Sequence, residues 1–143
     1  MIAVLAAAEV PAPRVILCRV SEKPRVIELA ADPDGGYTKA LEGLLGDSVA
    51  HFSLLGGVRV FCDRDGLIFG LALARRALAM SPWQPEITLH FDGGELGFSS
   101  KEWPVSGDFL LARVADDGGL VDLTEADLKH WMFWLGFDYI MNR

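Results

Sequence analysis

The chain has 143 residues, 51% of them hydrophobic and 23% charged, with 20 acidic side chains against 13 basic ones and a formal charge of −7. This length fits one domain that buries roughly two-thirds of its unfolded surface, and the composition is that of a folding chain and not of a disordered one. The charge balance and the lack of a Lys/Arg stripe with interleaved aromatics argue against nucleic-acid binding; no apolar run reaches the ~18 residues of a membrane helix, and "MIAVLAAAEV" lacks the basic start of a secretory signal, so it is read as folded chain.

In chain order, "RVILCRV" from Arg14 and "RVIELA" from Arg25 are β-rich and separated by "SEKP", the spacing of a hairpin with a four- or five-residue loop. After "DPDGG", the stretch "YTKALEGLLG" puts Leu41, Leu44 and Leu45 on one helical face with Gly46 as a stop, which predicts a helix over about 37–45. "VAHFSLL" and "VRVFC" flank Gly56-Gly57, a two-residue hairpin signal. "LALARRALAM", at 71–80, predicts a short helix, and "SPWQP" a rigid connector with a possible seam near 80–86 inside one domain of residues 1–143. "EITLHFDGGELGF" and "FLLARVADDGGLVDL" predict two more hairpins. The fold class expected is α+β, with a mixed, mainly antiparallel sheet built from hairpins and two or three short helices.

Asp-Gly pairs at 34–35, 65–66, 92–93 and 117–118 begin calcium loops or make tight turns. A helix-loop-helix calcium site needs acidic ligands at loop positions 1, 3 and 5, Gly at 6 and Glu at 12. With Gly66 at position 6, positions 1 and 12 are Phe61 and Ala72; Gly35 gives Ala30 and Leu41, and Gly118 gives Arg113 and Thr124. None supplies the demanding ligands, so the pairs are read as turns. Between apolar runs, Asp-Gly is the pair that a type I′ turn selects, because both central residues need positive φ.

The chain ends in "LTEADLKHWMFWLGFDYIMNR", where Thr124 and Asp127 form a capping box with Asp in place of the usual Glu, and Leu123 and Leu128 hold the staple positions. Leu128, Trp131, Met132 and Leu135 form the expected inward stripe, while Phe133, Trp134 and Phe137 lie on other faces. Either the domain itself or a partner must cover that second face. Trp134, Phe137 and Tyr139 are the candidate partner-binding residues, since Trp and Tyr bury large area for few lost rotamers.

An N-terminal hairpin, a short helix ending in "LLG", a strand pair running into "VRVFCDRDGLIFGLALARR" and a last hairpin, "VSGDFLLARVADDGGLVDLTEADL", leading into a helix together resemble the domain-of-unknown-function family 3846. The resemblance covers about residues 14 to 130. Where many members carry an Asn-Arg pair, Ala74-Arg75-Arg76 stands here, so Arg75 is the position carried over. The family supplies no catalytic residues. It implies a setting: small proteins of bacteriophages, plasmids and other mobile elements, among which inhibitors of host defence are one kind.

Side-chain chemistry is sparse. His51 in "VAHFS" and His90 in "TLHF" could face each other across a sheet with Cys62 nearby as a metal site, yet no ligand spacing supports one, and a strand histidine is the plainer reading. Cys18 and Cys62 are the only cysteines and no CxxC occurs, which fits buried thiols in a reducing cytosol. Nucleophile elbow, phosphate loop and dinucleotide fingerprint are all missing from the sequence. Asp92, Glu95 and Lys101 have the residue types of a nuclease trio without its spacing, and Arg75-Arg76 is either an anion site or a structural ion pair.

No metal or cofactor is expected. Two functions remain: a cytoplasmic, non-enzymatic module that binds a protein partner, a host protein or a second copy of itself; or a small-molecule or nucleotide binder, or small enzyme, with a pocket between sheet and helices near Arg75 and Trp83. The turn reading is open to test. Gly66→Ala should cost on the order of 1 kcal/mol or more, read as a lower melting temperature, because it forces a β-carbon into positive φ.

Overall fold

The computed structural model describes residues 12–19, 22–54, 56–63, 86–99 and 108–142, with 86–87, 98–99 and 137–142 described by their backbone alone. The helix expected over 71–80, the Asp65-Gly66 turn, Arg75, Arg76, Trp83 and Lys101 lie outside the described residues.

One sheet organises the chain. Its strands are β1 (Arg14–Cys18), β2 (Arg25–Glu28), β3 (Val49–Ser53), β4 (Val58–Asp63), β5 (Glu86–Phe91), β6 (Gly94–Ser99), β7 (Phe109–Val114) and the two-residue β8 (Leu120–Val121). They run in the order β2-β1-β7-β4-β3-β5-β6, with every described pairing antiparallel. Because β4 occupies one edge of β7 up to Arg113, β8 shares the opposite edge with β1. Helices α1 (Thr38–Leu45) and α2 (Glu125–Asn142) complete an α+β fold. The second has 18 residues and is not the short helix expected.

Alternation along the strands sorts the core into two layers. Ile16, Phe52, Val60, Leu89, Phe109 and Leu111 face one side, where Leu123 and Leu135 join them and Leu128, Trp131 and Met132 pack on top. Val15, Leu17, Phe61, Leu110 and Ala112 face the other, where they meet Leu41 and Leu45 of α1. The stripe expected on the C-terminal helix is therefore the one that covers the first layer.

Local chemistry sets the helix ends. α1 begins one residue later than the expected range and stops at Gly46, whose φ of 114° is open to glycine, with its amide donating to the Glu42 carbonyl at 2.9 Å. Its cap comes from a distance: Tyr37 makes no side-chain cap bond, and the Asp32 carboxylate accepts from the Lys39 and Ala40 amides at 2.8 and 3.0 Å. The turn at 32–36 brings it there. In that turn the Gly35 amide donates to the Asp32 carbonyl, the Asp32 amide to the Gly36 carbonyl, and the Gly36 amide to Asp34 Oδ1.

The same three bonds recur at 115–119, where Gly118 donates to Ala115, Ala115 to Gly119, and Gly119 to Asp117 Oδ1. This corrects the two-residue type I′ reading of "ADDGG": the loop holds three residues, and only its last position needs the left-handed Gly118, at φ 88°. The Gly56-Gly57 loop is likewise one residue longer than expected, since Leu54 and Val58 close it. Asp92-Gly93 is a two-residue hairpin, closed by the Phe91–Gly94 pair.

At the start of α2 the capping box forms. The Asp127 amide donates to Thr124 Oγ1 at 3.1 Å and the Thr124 amide to Asp127 Oδ2 at 2.9 Å. Arg113 of β7 then grips the same carboxylate with two bonds of 2.7 Å, from Nε and Nη2. A β-carbon on Gly57 would stand 2.8 Å from Arg113 Nη1 and at a left-handed φ of 84°, so the β3–β4 loop closes against this pair and a side chain there is strained and displaces the guanidinium.

The Arg113 bond, and then those of Thr124, hold the Asp127 carboxyl below the ordinary value of 3.8 against the opposing effect of burial. A depressed acid adds stability that is present above 3.8 and is lost as pH falls through the lower folded value. Thr124→Ala should cost about 1 kcal/mol in a denaturant titration, and Asp127→Ala about 2–3 kcal/mol because it removes cap and fork together.

Candidate functional site

Two places carry chemistry beyond packing. The first is the outer side of α2. Leu135 is fully buried, while Phe133 and Trp134 keep 64% and 45% of their surface exposed, with ring centroids 5.3 Å apart in an edge-to-face pair. Phe137 follows Phe133 by four residues and so shares its register on the helix. Tyr139 follows Leu135 by four and falls at that register instead; the side chains of both Phe137 and Tyr139 lie outside the described residues. Phe133, placed off the inward stripe by the sequence but not among the candidate partner-binding residues, is the most exposed of the described large hydrophobic side chains. Its spacing of five from Leu128 and two from Leu135 was the available signal.

The second place lies beside α1, on the sheet face away from α2. His51 and His90 pair directly across β3 and β5, with rings 5.3 Å apart and tilted by 26°, and Phe61 lies 5.7 Å from His51 on the other flank. Cys62 does not join them. Its register partner is Ala50, so it faces the α2 side, and among the described residues no group of three ligating side chains could hold a metal. Cys18 and Cys62 both sit opposite Phe109, one on each side of β7. Two strand spacings, about 9–10 Å, separate them. Burial, with the Asp63 charge second, pushes the Cys62 thiol up to about 12. Of the acid–acid–lysine trio, Asp92 occupies a turn and Glu95 the start of β6, where Oε2 is 3.5 Å from His90 Nδ1.

Around His51 opens a cleft of about 470 Å³. Leu41, Val49, Phe61 and Phe91 supply its apolar lining, Thr38 and Ser48 its hydroxyls, and Glu42, Asp47 and Asp92 its carboxylates. His51 Nδ1 is buried without a hydrogen-bond partner, as is Nε of Arg59, one row along the same face. Burial, then the Arg59 charge, then His90, lower the His51 pKa to about 4, so its imidazole is neutral at pH 7.

Compared with known proteins, the chain matches no family model, no curated protein and no solved structure at a significant level.

The neutral imidazole has a measurable consequence. Below 6.5 the unfolded chain takes a proton at His51 that the folded chain refuses until about 4, so folding stability drops as pH falls across that window. About 1–2 kcal/mol should be lost, less than the full linkage value because water screens the open side of the ring. Denaturant midpoints measured from pH 7 to 4 should show a shallower acid limb in His51→Phe, which keeps a ring against His90 and cannot titrate.

Proposed function

We propose that the protein is a non-enzymatic binding module that docks a second, different protein on the outer side of α2. One observation carries this reading: Phe133 and Trp134 lie side by side and exposed on a helix whose inward stripe is already satisfied by the sheet. Phe137 extends the same side by register. Aromatic pairs of this kind anchor interfaces because they bury area at little entropic cost. The charge of −7 disfavours a second copy as the occupant, since two such chains repel, and favours a partner whose docking surface is basic.

In the mobile-element setting implied by the resemblance to family 3846, that partner is a host protein in the cytosol, and blocking a defence protein is the activity that fits. No described helix is long and apolar enough to cross a membrane.

The test begins with retrieval of a partner from host lysate and then rebuilds the complex from pure components. Trp134→Ala should weaken the rebuilt complex at least roughly tenfold, the scale of an interface anchor, while changing folding stability by about 0.5 kcal/mol or less. Sedimentation of the chain alone should show a monomer. A complex indifferent to the substitution, or a Trp134→Ala chain that unfolds, would remove the proposal.

A further inference from the structure

We infer that the outer edge of β6 is a docking site for one extended segment of another protein, which joins the sheet as an antiparallel strand, aliphatic on one face and basic on the other. The site lies at one end of the strand order and does not depend on the α2 surface binding anything.

A sheet edge is a row of unpaired backbone groups, and the two edges of this sheet are built differently. β2, at one end, has four residues and is entered through Lys23 and Pro24, with Arg25 and Glu28 exposed upon it. Charges and a proline in so short a strand discourage the addition of another. β6, at the other end, has six residues, no proline and one charged side chain, Glu95. Its residues 94–97 are exposed, and among the described residues β5 is its one strand neighbour. The two-residue turn at Asp92-Gly93 makes Phe91–Gly94 and Leu89–Leu96 the hydrogen-bonded pairs, so the N–H and C=O groups of Glu95 and Gly97 point outward. An added strand satisfies all four.

The side chains select what that strand carries. Leu96 lies opposite Leu89, which is buried in the α2-side layer, so Leu96 turns to that side, where it stays 51% exposed. An aliphatic residue directly across from it covers that surface. Glu95 turns to the α1 side, with Oε2 3.5 Å from His90 Nδ1. Gly97 is next along that side and leaves an open floor, since a β-carbon there would meet nothing within 4 Å. A long basic side chain across from Glu95 has room to spread over this floor and reach the carboxylate. The charge of −7 favours such a basic segment over a second copy of the chain.

The test follows amide shifts of the isotopically labelled full chain while acetyl-Val-Thr-Val-Arg-Val-amide is titrated in. Antiparallel pairing puts its arginine across from Glu95 and its central valine across from Leu96. Saturable shifts are expected at Glu95, Leu96 and Gly97. Methylating the arginine backbone nitrogen removes the donor to the Glu95 carbonyl and should weaken binding about tenfold or more. The same change at the central valine, whose N–H points away from β6, should have little effect. Glu95→Lys should weaken the arginine peptide roughly two- to fivefold and turn the preference to acetyl-Val-Thr-Val-Glu-Val-amide. Shifts confined to α2, no saturation, or equal effects of the two methyl groups would overturn the assignment. So would a Glu95→Lys chain that folds as the wild type and still prefers the arginine peptide. Shifts along β6 that grow with protein concentration before any peptide is added would also overturn it, by marking a second copy as the occupant.

Discussion

Phe109, Leu110, Leu111 and Ala112 are consecutive in β7, and none retains any exposure. A strand turns successive side chains to opposite faces, so this run can exist only if both faces of the sheet are covered. Much of the architecture follows from that requirement. β7 lies between β1 and β4, α1 and α2 are placed on opposite sides, and the apolar residues of β1, β3 and β4 divide between the two layers. Strands farther along the sheet are released from it. Thr88 and His90 of β5 and residues 94–97 of β6 are exposed, past the reach of α1.

The covering helix must also be held in place. Arg113 continues β7 directly past its buried run and reaches Asp127 in the first turn of α2, so the strand that most needs cover is bonded to the helix that supplies it. Asp127 also closes the capping box with Thr124, and Gly57 admits the guanidinium against the β3–β4 loop. Helix start, sheet centre and hairpin loop thus share one polar node. The start of α2 is thereby fixed to the strand that its inward stripe covers.

What the sequence revealed and what it hid divide by distance along the chain. The capping box, the inward stripe of α2 and the Gly46 stop are patterns within a few residues, and each is present as read. The loops around Gly57 and Gly118 were misjudged by one residue because a glycine pair does not record where the flanking strands stop pairing. Asp32 escaped notice as the cap of α1 because it sits outside the usual N-cap position and is carried there by a turn. The placement of His51 opposite His90 was foreseen as a possibility, while the separation of Cys62 from both needed the β3–β4 register. The cleft was less legible still, since Glu42, Asp47 and Asp92 are ordinary surface acids until the fold gathers them.

The two cysteines flank Phe109 from neighbouring strands, both on the α2 side of the sheet. Bridged thiols need Cα atoms within about 7 Å, and the intervening strand holds these farther apart for as long as the sheet is intact. The folded chain therefore cannot close an internal Cys18–Cys62 bridge, however oxidising its surroundings. An internal Cys18–Cys62 bridge, wherever one formed, would be a chemical record that the sheet had come apart at β7, trapping a state from which that strand could not return between its neighbours.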